Sequence, residues 1–226
     1  MYLFDVHTHT VEVSPCGVMT AEETVKTYCE LGYDGIVVTD HFNGGVVQRL
    51  PGTTWAEKIE SFTRGYRLAK EAGDRLGLTV FFGMETKACD YDNNEYLVYG
   101  VTPQFLIEHE RLYEHTLEEI HREVHLAGGL IYQAHPYRCN MVMSPACYLD
   151  GIEAYNGNPR HHSCNDVAIQ TAKRLNLHMV SGSDCHQHHD AGHGGMAFFK
   201  KPETMDELLT LLTSDRYAIL ASRETL

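Results

Sequence analysis

Nowhere does the sequence carry an apolar run approaching the ~18 residues that a membrane-spanning helix needs, and its mean hydropathy is −0.31. No membrane association is expected. Basic residues are scarce: Lys and Arg number 18 against 31 Asp and Glu, a formal charge of −13. Binding a nucleic-acid backbone draws on net basic surface, so a long nucleic acid is not expected as the main partner. Acidic clefts neutralised by bound cations are the exception to that rule. No C-x-x-C pair occurs among the seven cysteines, at 16, 29, 89, 139, 147, 164 and 185. Their number is odd, and the opening residues Met1 to Asp5 hold neither a basic stretch nor a long apolar one. Reduced thiols and a cytoplasmic location are therefore expected. There is no Gly/Ser-rich linker, low-complexity tract or internal repeat, so 226 residues read as a single domain over 1–226 with one sizeable core.

What the sequence does have is histidine, 15 in all, a residue suited to metal ligation and acid–base chemistry. Short β-type runs begin at Tyr2, Gly35, Leu78, Leu130, Gly151 and His178, with later candidates at 195–199 and 217–220. Helical patterns fill the intervals at 20–30, 55–76, 104–127, 165–175 and 203–213. Thr20 and Glu23 form a capping-box pattern at the first of them. Alternation of this kind implies crossover connections and a parallel sheet. About seven units of about 32 residues match the ~30 of a βαβ step. The α/β class with a small, incomplete TIM-like barrel is favoured over an open doubly wound sheet, which gives the same alternation.

The informative residues follow the strands. Asp5-Val6-His7-Thr8-His9, Thr39-Asp40-His41, Gly83-Met84-Glu85, Ala134-His135-Pro136 and Ser183-Asp184-Cys185-His186 each close a strand run with a residue of metal-ligand type. In a parallel barrel all such ends meet at one face. In His7-x-His9 both imidazoles point to one side of a strand, and Asp5 on that side can orient an imidazole N–H. Asp184-x-His186 repeats the spacing. Glu85, with two carboxylate oxygens, can bridge two cations. Mixed His, Asp and Glu ligation suits Zn, Mn or Fe. Singly, each residue has an ordinary structural explanation; the convergence of five strand ends carries the argument. The histidines at 109, 115, 121 and 125 read as helix surface or packing, and those at 188, 189 and 193 as a solvated loop.

Together these motifs, in this order over residues 5–186, resemble the PHP superfamily (polymerase and histidinol phosphatase). The resemblance implies a distorted (β/α)7 barrel, two or three divalent metal ions at the C-terminal strand ends, and phosphoesterase activity. It implies that His7, His9, Glu85 and Asp184 hold one metal. Glu85 and His135 would serve a second, and His41 and His186 a third, with Asp40 as a support or proton relay. Two departures stand out. Where the family has a His or Asp beyond His-x-His, this chain has Ser14-Pro15-Cys16-Gly17, so that either Cys16 replaces it as a zinc-binding thiolate or the third position is weak or empty. The strand Glu95 to Gly100 lacks the family's further histidine.

The reaction so implied is hydrolysis of a phosphate ester, a phosphomonoester of a small metabolite or nucleotide, by water activated between cations. Asp40 or His41 would protonate the leaving oxygen. Arg138, three residues beyond His135, would grip phosphate bidentately or form a surface ion pair, and Arg160 is a second substrate-binding candidate. The alternatives are a metal-dependent amidohydrolase and a metal-binding regulatory module with a decayed site. No heptad or apolar helix face marks an assembly surface.

Overall fold

Runs rich in β-branched and aromatic residues become strands, and the amphipathic stretches between them become helices. In the computed structural model, which describes residues 1–214 and 216–221, the chain begins β1 (Tyr2–Thr8), α1 (Ala21–Glu30), β2 (Gly35–Val38), β3 (His41–Phe42), α2 (Gly44–Val47), α3 (Trp55–Phe62) and α4 (Arg64–Leu76). It continues β4 (Thr79–Thr86), β5 (Tyr96–Tyr99), α5 (Pro103–Glu108), α6 (Leu117–Leu126), β6 (Leu130–Gln133), β7 (Gly151–Asn156), α7 (Asn165–Leu175), β8 (His178–Gly182), β9 (Gly195–Phe198), α8 (Met205–Leu212) and β10 (Tyr217–Leu220).

Hydrogen-bonded neighbours run β10-β9-β1-β2-β4-β5-β6-β7-β8, with β3 beside β4. The chain beyond β8 then returns to β1. Thr8 bridges Cys185 in parallel, the His9 amide donates to the Cys185 carbonyl at 3.0 Å, and the Cys185 amide donates to the His7 carbonyl at 3.3 Å. The sheet is thus a nearly closed barrel of β1, β2, β4, β5, β6, β7 and β8, and the open doubly wound alternative is excluded. The barrel is distorted in two ways. β5 runs antiparallel to both β4 and β6, because residues 87–95 join β4 to β5 without the helix a parallel crossover requires. β9 and β10 form an antiparallel ladder against the start of β1.

Two expected helices are broken. The 55–76 pattern is split into α3 and α4 at Thr63, which takes φ −79° and ψ 0°. The 104–127 pattern ends as α5 at His109 and restarts as α6, where Thr116 and Glu119 form a capping box. Inside the fold, Phe4, Val6, Val37, Phe81, Tyr99 and Val180 pack with Leu208 and Leu212 of α8. On another side, Val25 and Tyr28 of α1 and Ala69 and Ala72 of α4 cover Ile36 and Val38 of β2. No helix among the described residues is long and apolar enough to cross a membrane.

The seam between β8 and β1 is tight. A Cβ added at Gly182 would lie 2.4 Å from the His7 Cβ and 3.2 Å from Oε1 of Glu153. Gly182→Ala is therefore expected to cost about 1–3 kcal/mol through overpacking, read as a lower urea midpoint. A midpoint equal to that of the parent would show that the seam accommodates a methyl group.

Candidate metal centre

β1 delivers the first two ligand-type residues with an irregularity. Its pairing with β2 shifts register between Asp5 and Thr8, and the Asp5 carboxylate accepts the His7 amide at 3.1 Å. That bulge breaks the two-residue alternation. Asp5 therefore does not orient an imidazole, contrary to the sequence expectation. It accepts from the Tyr28 hydroxyl at 2.6 Å and the Ser183 amide at 3.1 Å, tying α1 to the end of β8. Burial pushes its carboxyl up to about 6.

The partner that does orient His7 is Glu153, on β7. Nδ1 of His7 lies 2.9 Å from Glu153 Oε1. A carboxylate there accepts only, so Nδ1 carries the proton and Nε2 faces the cavity. The other oxygen of Glu153 accepts from the His135 amide and from Asn156 Nδ2, both at 2.9 Å. Sequence reasoning passed over Glu153; its signal was a lone carboxylate inside the apolar run Gly151-Ile152-Glu153-Ala154.

Glu85, at the end of β4 and 1% exposed, is the hub. Its oxygens lie 3.4 Å from His7 Nε2, 3.5 Å from His9 Nε2, 2.8 Å from His41 Nδ1 and 3.1 Å from His135 Nε2. Asp184 completes the group, 3.5 Å from His7 Nε2 and 3.3 Å from His9 Nε2. His186 stacks on His9 with ring centroids 4.2 Å apart. Four sets of potential ligand atoms each lie within 4.8 Å of one another: His7, His9 and Glu85; His7, His135 and Asp184; His9, His41 and His186; and His41, Glu85 and Glu95. The structure thus brings His7, His9, His41, Glu85, His135, Asp184 and His186 together. It adds Glu95, whose Oε2 lies 3.8 Å from His135 Nε2. Glu95 stands just before β5, the strand that lacks the histidine implied by the family resemblance.

Charge in this cluster is balanced by protons. Burial opposes a charge on His7, but Glu153, Asp184 and Glu85 outweigh it and hold the imidazole well above its usual range. Burial likewise opposes ionisation of Glu85 and Asp184, yet the neighbouring imidazoles, with Arg138 beside Asp184, hold both carboxyls well below theirs. Burial and the charges of His186 and His41 drive His9 the other way, towards its neutral form. His7 Nε2 and His9 Nε2 are buried without a hydrogen bond, and His41 Nδ1 and Glu85 Oε2, also buried, meet at 2.8 Å as an ion pair without hydrogen-bond alignment. Such orphaned groups are costly unless something else satisfies them. Imidazole nitrogen and carboxylate oxygen converging in this way fit borderline divalent cations.

The remaining candidates fall differently. Asp40 turns away from the cluster: it accepts from the Thr10 amide, the Thr10 hydroxyl and the Ser14 hydroxyl, each at 2.7 Å. It shapes the turn after β1 and has no free face for a leaving group. Arg138 donates from Nη2 to Asp184 Oδ2 at 2.7 Å and to Asn156 Oδ1 at 3.0 Å, while its buried Nε is unpartnered. Arg160 is held by Asp190 through two bonds, at 3.0 and 2.8 Å. Asp190 also accepts the His186 amide at 3.0 Å, so Arg160 buttresses the His186 loop. Both arginines, with His161 and Cys16, line a cavity of about 230 Å³ over the cluster. A larger groove of about 720 Å³, between α4 and the start of α8, contains none of these residues. Of the helix histidines, His109 stacks on Phe105 and His121 meets His125 with the rings tilted by 43°, in line with surface and packing roles.

Glu153→Gln is expected to weaken divalent-metal affinity about 10–100-fold, as loss of a carboxylate behind a ligating imidazole does, measured by competition with a chromophoric chelator. Unchanged affinity would reduce Glu153 to a packing residue.

Comparison with known proteins bears on the family and the fold. The model of the PHP domain family matches residues 5–219. A two-domain protein of Bacteroides vulgatus, described as containing a predicted PHP-like metal-dependent phosphoesterase, superposes with a TM-score of 0.71 at 20% identity over 98% of this chain. The chain spans 65% of the length of that protein. The lesion-specific endonuclease Q of Pyrococcus furiosus gives 0.64 at 14% identity, over 96% of this chain and 57% of its own. An amidohydrolase of Chromobacterium violaceum gives 0.55 at 17% identity, over 81% of this chain and 87% of its own. No curated protein matches the sequence. At these identities the structures speak for the fold, whereas the family model spans nearly every residue from the first ligand-type strand end to the last strand: the chain belongs to the PHP domain family.

Proposed function

We propose that this chain is a metal-dependent hydrolase that cleaves a phosphate ester, a phosphomonoester of a small metabolite or nucleotide, with two or three divalent ions of the Zn, Mn or Fe type. The observation that carries the reading is Glu85 inside its ring of imidazoles, with buried donor atoms left unpaired around it. His7, His9, Glu85 and Asp184 would hold one ion. Glu85, His135 and Glu95 would hold a second, and His41 and His186 face a third position. Cations there acidify water and neutralise charge on phosphoryl oxygens.

The residues of the chain do the rest. Glu153 fixes the His7 tautomer. Arg138 steadies Asp184 through Nη2, and its side chain lines the cavity in which a phosphoryl group would sit. Arg160 acts on His186 through Asp190, so the substrate-binding role expected of it falls to Arg138 first. Asp40 acts through Ser14, whose hydroxyl also accepts the His41 amide at 3.1 Å. The cavity of about 230 Å³ suits a phosphoryl group with its adjoining atoms, leaving the remainder of a larger substrate outside. The amidohydrolase likeness favours a second reading, amide hydrolysis at the same centre, and endonuclease Q keeps oligonucleotides among the substrates to be tried.

Elemental analysis of untagged protein purified without added metal or chelator is expected to give two or more equivalents of Zn, Mn or Fe per chain. One or none, persisting after reconstitution, would overturn the multinuclear reading. On a panel of phosphomonoesters, oligonucleotides and amides, hydrolysis is expected for the first class, and activity on amides alone would replace the proposal. His9→Ala and Asp184→Ala should each lower kcat by at least about 100-fold with the circular dichroism of the folded protein retained; parental rates in either would refute the site. Arg138→Ala should raise KM more than it alters metal content, and an unchanged KM would confine Arg138 to its ion pair.

A further inference from the structure

Resting on the multinuclear reading above, we infer that Met141 is a positioning residue, whose thioether accepts the Nδ1 proton of His135 and so turns Nε2 of that ring towards Glu85. Met141 Sδ lies 3.2 Å from His135 Nδ1, while His135 Nε2 lies 3.1 Å from Glu85 Oε1. A thioether sulfur accepts and cannot donate, so Nδ1 carries the proton at this contact. In the neutral ring the lone pair then falls on Nε2, the atom that faces Glu85 and Glu95. Two turns bring the sulfur within reach. The Arg138 amide donates to the His135 carbonyl at 3.0 Å, and the Met141 amide donates to the Arg138 carbonyl at 3.0 Å. The chain thus folds back on itself, and residue 141 returns to the ring of residue 135. An unbranched, flexible side chain is suited to close the remaining gap.

The loop that carries the sulfur is fixed immediately beyond it. The Val142 amide donates to Asn94 Oδ1 at 3.0 Å, and the Val142 carbonyl accepts from Asn94 Nδ2 at 2.7 Å and from Gln133 Nε2 at 2.8 Å. Asn94 and Gln133 are both buried. Asn94 adjoins Glu95, and Gln133 lies on β6 just before His135, so this latch ties sulfur, ring and carboxylate into one unit. His7 offers the contrast, since its Nδ1 faces a carboxylate oxygen of Glu153 at 2.9 Å. A hydrogen bond to a charged acceptor is roughly twice as strong as one to a neutral acceptor, and a thioether is a weak acceptor among the neutral ones. The partner behind a ligating imidazole sets how strongly the ring donates to a cation. His135 is therefore the weaker ligand of the two, and of the positions that share Glu85 the one at His135 holds its ion less firmly.

Competition with a chromophoric chelator for zinc tests the assignment without reference to activity. The parent protein should show at least two classes of site. Met141→Leu keeps the bulk and removes the acceptor, whereas Met141→Gln supplies an amide oxygen in its place. In Met141→Leu, folded by circular dichroism, the weaker class should lose affinity about 10-fold, the low end for a lost partner behind a ligating imidazole, with the tighter class unchanged. Met141→Gln should return the weaker class to the parental affinity or above it. A side chain that only packs predicts the reverse order, with leucine harmless and glutamine damaging. That order would overturn the inference while leaving the multinuclear reading intact, and so would equal affinities in all three proteins. Zinc bound by the parent at one equivalent or none would remove both.

Discussion

Everything at the mouth of this barrel answers to the burial of Glu85. An ionised carboxylate removed from water costs several kcal/mol unless opposite charge and hydrogen bonds surround it. Here four imidazoles from β1, the start of β3 and the end of β6 supply that surrounding. Three of them are anchored from behind: His7 by Glu153, His41 through its amide by Ser14, His135 through its amide by Glu153. The anchors are themselves satisfied, so the charge of Glu153 is spread over His7, Asn156 and the His135 backbone. A cluster in which some imidazoles are held protonated and others neutral is one where protons and divalent cations compete for the same lone pairs.

Much of this was readable from the sequence. The barrel strands are short apolar runs, and the ligand-type residues stand at strand ends, where topology alone brings them together. Helix starts were readable at Thr20, whose capping box is complete in one local stretch. What was not readable depends on contacts distant in sequence. The antiparallel course of β5 follows from the absence of a helix between it and β4. The bulge at Asp5, which turns its carboxylate towards Tyr28, is a register event between two strands. Glu153 and Glu95 gave only weak signals, since a carboxylate beside an apolar strand can as well be a solvated edge residue. Asp40 adjoins His41 in sequence, yet its oxygens are taken by the turn of residues 10–14.

Two of the ligand-type residues sit in unfavourable backbone conformations. His135 has φ 28° and Asp184 has φ 51°, a region that non-glycine residues avoid at a cost of roughly 1–3 kcal/mol each. Both are held there by specific bonds. The His135 amide reaches Glu153, and Asn158 Nδ2 donates to the Asp184 carbonyl at 2.9 Å. Strain at both positions, with the packing that enforces it, limits how far either side chain can drift from the cluster.

The seam where β1 meets the end of β8 carries ligand-type residues on both of its lips, His7 and His9 on one, Asp184 and His186 on the other. Its backbone contribution is slight, resting on bonds among His7, His9 and Cys185. Joining these lips closes a loop of nearly the whole chain, the kind of contact that forms late because so much chain entropy is spent on it. A growing polypeptide therefore has no complete centre to offer until the residues around Asp184 have been made and folded back onto the first strand. On the proposed metal-binding reading, a cation held across the seam would act as the clasp that keeps the two ends of the barrel sheet from parting.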